Sequence, residues 1–288
     1  MWHSFAGPTG ATSALSGANS TPGYRRGYGN SEATLNAFFD PDVDPTLRAA
    51  VGYCSDAVRA VLNAATNLRH DQSDPQVHAL AIYGTVVELF SACVGLARLG
   101  EPTAIPIVLR SMYESHVELD NLLHEAGYVE HIQAAGYEQT IKVMESAPLR
   151  QAFLQGRKAE YDQLTAELAS LKLRGKGPLK IWKRCQRAGR LDEYNSLYAL
   201  FCIDAHNNGP ALAERHVREN ADGGLVISFF GPYDPGVVVR RLDLGLGFLF
   251  SAARDMHGAF QIPAPEIDEL AARIEQVKTE RANRQPPG

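Results

Sequence analysis

Three polar residues on two neighbouring helical segments have the types and spacing of an anion-binding or acid–base site. Glu88 is the single charged residue in Ala79–Ala97, a stretch that is otherwise apolar or small. A charge in such a stretch needs a partner, because an unpaired buried carboxylate is costly. Arg110 and Glu114 are four residues apart and share one face of the next helix, where the guanidinium can bridge two carboxylates. The sequence therefore predicts that Arg110 pairs with both glutamates.

A third segment adds polar side chains to this set. Tyr198, Cys202 and His206 are spaced four residues apart, and the line ends at Asn207. The candidate catalytic residues are then Glu88, Arg110, Glu114 and His206. Two interpretations stay open: a polar network that fixes how the helices pack, or a pocket in which Arg110 holds an anionic ligand and His206 exchanges protons or donates a hydrogen bond.

The segment Lys172–Arg190 carries eight positive charges and no acid, in a chain of net charge −5. Four of its basic side chains share one face of a short helix: Lys180, Lys183, Arg184 and Arg187. Together with Tyr198 and Asn207, they are candidate contacts to RNA phosphates or to an acidic partner. The alternative is a solvated face that is paired with acids of the same chain, such as Glu160, Asp162 and Glu167.

Two short motifs carry a resemblance to a known family. Leu109-Arg110-Ser111-Met112-Tyr113-Glu114, followed later by Tyr198-x-x-x-Cys202-x-x-x-His206, resembles a widespread bacterial family known only as a domain of unknown function. Cys202 stands where that family usually has serine. The resemblance covers about residues 75–260 and implies an all-helical fold without an established activity.

A looser similarity is to the HEPN ribonucleases, helical proteins that cleave RNA without a metal. Arg110 and His116 have five residues between them, which fits the Arg–His spacing of that family. The similarity implies that His116 handles the proton of the 2′-hydroxyl and that Arg110 stabilises the phosphorane charge. The alternative is that His116 is a core histidine on an apolar helix face.

The elements that must position these residues are helices, because apolar residues recur at helical spacing from Pro45 onward. Helices are predicted over residues 45–69, 75–99, 102–124, 127–145, 148–173, 178–188, 191–205 and 242–260, with a last one beginning near Pro265. A small β-hairpin is predicted near residues 224–240, around the turn signals of 231–236. The sequence thus predicts an all-α bundle with residues 1–40 as a disordered tail, 41–283 as one helical domain and 284–288 as a frayed end.

Composition narrows the class of protein. The acidic balance excludes a chain that coats nucleic acid with its whole surface, and the four cysteines are too far apart for a disulfide framework or a zinc cage. Metal-binding and nucleotide-binding motifs are absent, so no metal or cofactor is predicted. Ala79–Ala97 is long enough to span a membrane, but a central glutamate favours a helix inside a soluble bundle. We therefore expect a cytoplasmic bacterial protein, with a homodimer left open.

Overall fold

The computed structural model describes residues 44–69, 73–146, 154–205, 209–219, 223–227 and 233–284. The helices are α1 (Pro45–Ala65), α2 (Asp74–Arg98), α3 (Ile105–His124), α4 (Val129–Ser146), α5 (Lys158–Leu173), α6 (Ile181–Arg187), α7, α8 (Gly209–His216), α9 (Pro235–Ala259) and α10 (Pro265–Arg284). Helix α7 runs through Leu191–Glu193, a π-helical turn at Tyr194–Tyr198, and Ala199–Ala205. The all-α prediction is confirmed, while the predicted tail of residues 1–40 lies outside the described residues.

The core lies where α2, α3 and α9 pack against one another, with α1 beside α2 and α9. The apolar positions of α3 that the sequence predicted are buried, including Leu109, Met112 and Leu119. Their spacing of three and seven residues places them on one face of the helix. Burying a side chain of this size stabilises the fold by roughly 1.5–3 kcal/mol, so this face fixes α3 at the centre of the bundle.

Helix α2 has the length and apolarity of a membrane-spanning segment, with a mean hydropathy of 1.8 in its most apolar window. One of its faces contributes buried side chains to the core, among them Tyr83, Phe90 and Val94. The opposite face, which carries Ala81 and Thr85, is exposed. The packing of one face of α2 into the core thus accounts for much of its apolar sequence.

The predicted hairpin near residues 224–240 is not supported. Val237–Arg240 lies within α9, and the short strand β2 (Leu225–Ile227) pairs antiparallel with β1 (Val217–Glu219), with Val217 opposite Ile227. The side chain of Asp234 accepts a hydrogen bond from the backbone N–H of Gly236 at 2.8 Å, and Pro235 occupies the first turn of α9. An aspartate followed by proline is a helix-start signal, so these residues begin α9 and the prediction of a turn here is wrong.

Gly245 allows α9 to approach α2 and α3 closely. A Cβ atom at this position would lie 2.7 Å from Leu109 and 3.0 Å from Phe90, and both of these side chains are fully buried. By contrast, a Cβ atom at Gly247, two residues further along the helix, would meet nothing within 4 Å. The absence of a side chain at position 245 therefore sets the distance between the central helices.

Candidate functional site

Glu88 does not pair with Arg110. Its side chain lies on the exposed face of α2, and it has no hydrogen bond or ion pair to any residue that the structure describes. Gly84 and Gly95, on the same strip of small residues, have open space where a Cβ atom would be. The small residues thus mark an uncovered face rather than a close helix contact, and the acid needs no partner because water solvates it.

Replacing Glu88 by alanine is therefore expected to change the free energy of unfolding by less than about 0.5 kcal/mol, as for other surface positions. Urea denaturation followed by circular dichroism measures this difference. A loss above 1 kcal/mol would mean that the carboxylate has a partner that stabilises the fold.

Arg110, Glu114 and Tyr198 form the polar cluster that the structure does bring together. The guanidinium of Arg110 donates to the Tyr198 hydroxyl from Nε at 3.3 Å and from Nη2 at 2.9 Å. The same hydroxyl donates to Glu114 Oε1 at 2.8 Å, and Arg110 Nη2 lies 3.2 Å from that oxygen. The Arg110 guanidinium carbon is also 5.3 Å from the centroid of the Tyr198 ring. The tyrosine thus links the cation and the anion.

Burial and this pairing decide the protonation states of the cluster. Hydrogen bonding to Tyr198 raises the pKa of Arg110, with smaller support from the charge of Glu114. Burial, aided by the Glu114 carboxylate, raises the pKa of Tyr198 to about 12 although the Arg110 guanidinium opposes the rise. The tyrosine is therefore a neutral donor near pH 7, and the arginine is a fixed positive charge.

Aromatic packing holds Tyr198 in place. Its ring stacks on Tyr194 with centroids 5.3 Å apart and an interplanar angle of 17°, and it lies 5.9 Å from the ring of Tyr113. Both Tyr194 and Tyr198 belong to the π-helical turn of α7, a feature that often occurs at functional sites. The hydroxyl that contacts Arg110 is thus carried by a side chain that is only 6% exposed.

A cavity of about 390 Å³ opens beside this cluster. Glu114 and Glu118 of α3 line it, and Arg184 of α6 lines it as well. The other lining residues are three with hydroxyl groups, Thr85, Ser111 and Ser115, and two that are aliphatic, Ile82 and Ile132. Sequence reasoning missed Glu118, although it continues the spacing of Arg110 and Glu114 by a further four residues and so shares their helix face.

The other residues of the predicted site are not all brought to the cluster. Cys202 is partly buried one turn after Tyr198, whereas His206 and Asn207 lie outside the described residues. The proposed proton-exchanging role of His206 therefore stays a prediction. Within the described ranges, no group of three His, Cys, Asp or Glu side chains is arranged to hold a metal ion.

The basic segment Lys172–Arg190 is largely paired within the chain. Arg184 contacts Glu118 at 2.9 Å and Arg190 contacts Asp120 at 2.7 Å. Further ion pairs join Arg187 to Glu125, Arg174 to Glu130, and Lys172 to Glu138. These acids belong to α3, α4 and the connection between them, not to the predicted set of Glu160, Asp162 and Glu167.

Two predicted contact residues of this segment remain at the surface. Lys180 is exposed, and Lys183 lies over the Trp182 ring with its amine 5.4 Å from the centroid. The stripe of four cations that was predicted for RNA or an acidic partner is therefore reduced, because Arg184 and Arg187 are paired with glutamates. The hypothesis that this segment binds RNA or an acidic partner loses its main support.

His116 lies in the core rather than beside Arg110 in an open site. Its side chain is 1% exposed, its ring centroid is 5.6 Å from that of Phe248, and neither ring nitrogen has a partner among the described residues. Burial lowers the pKa of His116 to about 4, and the nearby charge of Arg190 lowers it further against the opposing effect of Asp120. An imidazole that RNA cannot reach does not fit the role that the HEPN similarity implied.

Comparison with known proteins decides the family. The model of a family described as "Family of unknown function (DUF5677)" matches residues 76–225, slightly more than half of the 288 residues. The chain belongs to the DUF5677 family. No curated protein and no solved structure was found to match it.

The DUF5677 region runs from the start of α2 to the first residue of β2. It includes Arg110, Glu114 and Tyr198, together with every residue that lines the cavity beside them. The resemblance to a helical family of unknown function is thus confirmed, and the HEPN resemblance is not shown. Helices α1 and α9, which complete the core around α2 and α3, lie outside the matched DUF5677 region.

Proposed function

We propose that this DUF5677 protein binds a small molecule with an anionic group, and that Arg110 holds that group. The proposal rests on one observation: the Arg110 guanidinium is held in a fixed orientation and is still accessible to water. The Arg110 side chain is 33% exposed, while its Nε and Nη2 atoms are bound to Tyr198. Its Nη1 atom donates no hydrogen bond to any residue in the described part of the chain.

A guanidinium fixed in this way is suited to bind an anion. An arginine side chain loses conformational freedom when it binds, and preorganisation reduces that loss. Here Tyr198 fixes the plane of the guanidinium from one side, and Glu114 contacts it 3.2 Å away. Hydrogen bonds from a charged donor to an anion contribute about 1.5–3 kcal/mol each, so loss of the Arg110 contact should weaken anion binding about tenfold or more.

The cavity provides space for the rest of the ligand. Its volume of about 390 Å³ falls in the range of small-molecule sites, roughly 300–1,000 Å³. Because Glu114 both contacts Arg110 and lines the cavity, a ligand bound at the guanidinium can extend along α3. The expectation of a cytoplasmic bacterial protein goes with this proposal, and the four free cysteines are consistent with a reducing compartment.

Titration with simple anions tests the proposal. Inorganic phosphate and succinate, added at constant ionic strength, are expected to raise the melting temperature of the wild-type protein. The Arg110→Gln variant should bind each anion at least tenfold more weakly, because about 1.4 kcal/mol corresponds to a tenfold change. Tyr198→Phe should weaken binding less, because it leaves the cation but removes the hydroxyl that orients it.

Arg98→Gln is the matched control, since Arg98 is an exposed arginine whose Nη2 donates to Ser55 Oγ at 2.6 Å and lies outside this cavity. It should bind both anions like the wild type. The same thermal shift in wild type, Arg98→Gln and Arg110→Gln would show that the anions act on the general surface, and the proposal would be wrong.

A further inference from the structure

The cavity beside Arg110 contains two carboxylates that each keep one oxygen atom free. Glu114 Oε1 accepts from Tyr198 at 2.8 Å. Glu118 Oε2 accepts from Arg184 at 2.9 Å and from Tyr128 at 3.3 Å. The second oxygen of each carboxylate accepts no hydrogen bond from the residues that the structure describes. Both glutamates line the cavity, one helical turn apart.

The hydroxyl groups of the cavity have already used their hydrogens. Thr85 donates to the carbonyl of Ala81 at 3.0 Å. Ser111 and Ser115 donate to the carbonyls four residues before them, at 3.4 Å and 3.0 Å. A hydroxyl has one hydrogen and two lone pairs, so these three side chains can offer only acceptors to a molecule in the cavity.

Arg184 does not change this acceptor-rich character. Its Nη1 atom is bound to Glu118, and its Nε atom donates to the carbonyl of Leu179 at 3.1 Å. Its Nη2 atom donates no hydrogen bond to the residues that the structure describes, so Arg184 leaves one donor nitrogen at the cavity, against the free oxygens of two glutamates and three hydroxyl groups. The group that complements the cavity wall is therefore a donor with several hydrogens, such as an ammonium group.

The order of these residues along α3 gives the shape of the ligand. Three charged residues lie four positions apart along α3: Arg110, Glu114 and Glu118. Each step of four residues advances about 6 Å along the helix axis. The cavity wall also includes the aliphatic side chains of Ile82 and Ile132. A ligand that contacts all of them has an anionic end, an apolar middle and a cationic end.

We infer that the ligand is a zwitterion whose anionic group is bound by Arg110 and whose ammonium group lies between Glu114 and Glu118, with a short methylene chain along the two isoleucines. This inference rests on the proposed anion-binding function, and it adds the second charge and the spacing. An ω-amino acid has this chemistry, and 6-aminohexanoate is a convenient probe of suitable length.

Isothermal titration with three matched probes tests the inference. Hexanoate carries only the anion, hexylammonium carries only the cation, and 6-aminohexanoate carries both. We expect 6-aminohexanoate to bind the wild-type protein at least tenfold more tightly than hexanoate. Glu118→Gln should remove this advantage, whereas Arg110→Gln should remove the binding of hexanoate.

Two further variants serve as a substitute for Glu118→Gln and as a control. Ser115→Ala removes one acceptor without leaving Arg184 unpaired, and it should lower the affinity for 6-aminohexanoate about threefold. This variant replaces Glu118→Gln in the test if Glu118→Gln fails to fold. Glu88→Gln removes an exposed carboxylate of α2 that does not line the cavity, and it should bind all three probes like the wild type.

The outcomes separate the inference from the proposed function. Equal affinities for hexanoate and 6-aminohexanoate would overturn the ammonium site and leave the anion site standing. Binding of hexylammonium alone, unaffected by Arg110→Gln, would overturn both the anion site and the zwitterion. An advantage of 6-aminohexanoate that survives in both Glu118→Gln and Ser115→Ala would also overturn the inference, because the ammonium group would then lie elsewhere.

Discussion

Replacing Gly245 by valine is expected to lower the free energy of unfolding by about 3 kcal/mol, at the upper end of the usual cost of overpacking a core. Even the first carbon of the new side chain would lie 2.7 Å from Leu109 and 3.0 Å from Phe90. Neither neighbour can move away, because both are completely buried among the central helices. In a domain of this size the melting temperature should fall by roughly 6–12 °C, which calorimetry can measure.

Gly247→Val is the control for this substitution. It makes the same chemical change in the same helix, but at an exposed position with no atom within 4 Å of the new Cβ. Its stability should stay within about 0.5 kcal/mol of the wild type, since valine has a slightly higher helix propensity than glycine. If the two variants were equally stable, the close approach of α9 to α2 and α3 would not require a glycine.

Removing the buried imidazole of His116 should make the protein much less sensitive to acid. The pKa of His116 falls from its ordinary value of 6.5 to about 4 on folding. The unfolded chain therefore binds a proton first as the pH drops, and the folded state loses stability between pH 6.5 and pH 4. This loss in the free energy of unfolding amounts to roughly 3 kcal/mol below pH 4, and it is absent above pH 7.

Denaturant titrations of wild type and His116→Leu at pH 7, 5.5 and 4 measure this effect. The wild type should lose up to about 3 kcal/mol more than the variant over this range, while titrations of groups common to both proteins cancel in the comparison. His124→Leu is the control, because the His124 side chain of the same helix is 66% exposed. Parallel pH profiles for wild type and His116→Leu would refute the assignment of the acid sensitivity to His116.

Sequence patterns predicted the helices well and their exposed faces poorly. The apolar spacing in α3 places Leu109 and Met112 in the core because a buried stripe repeats at the helical period. The same reasoning failed at Glu88, since a stripe of small residues is compatible with either a neighbouring helix or solvent. Which of the two occurs depends on how many helices surround α2, and no local pattern contains that information.

The polar cluster was predicted in part. The pairing of Arg110 with Glu114 follows from their spacing on one helix, and Tyr198 was correctly grouped with them. The partners of the basic segment were predicted incorrectly, because Glu118 and Asp120 are more than sixty residues from Arg184 and Arg190 along the chain. Ion pairs at such separations depend on the path of the chain between α4 and α6, which sequence periodicity does not fix.

The π-helical turn at Tyr194–Tyr198 makes the geometry around Arg110 dependent on chain length as well as on residue type. A π-helical turn contains one residue more than an α-helical turn, and each residue of an α-helix rotates the following side chains by about 100°. Deleting a single residue here would turn Tyr198 or Cys202 away from the cation without altering either of them. A homologue could retain every polar residue of the cluster and yet lack the extra residue of the π-helical turn. Its tyrosine would then not reach the arginine, so a gap in this turn indicates loss of the cluster as clearly as a substitution does.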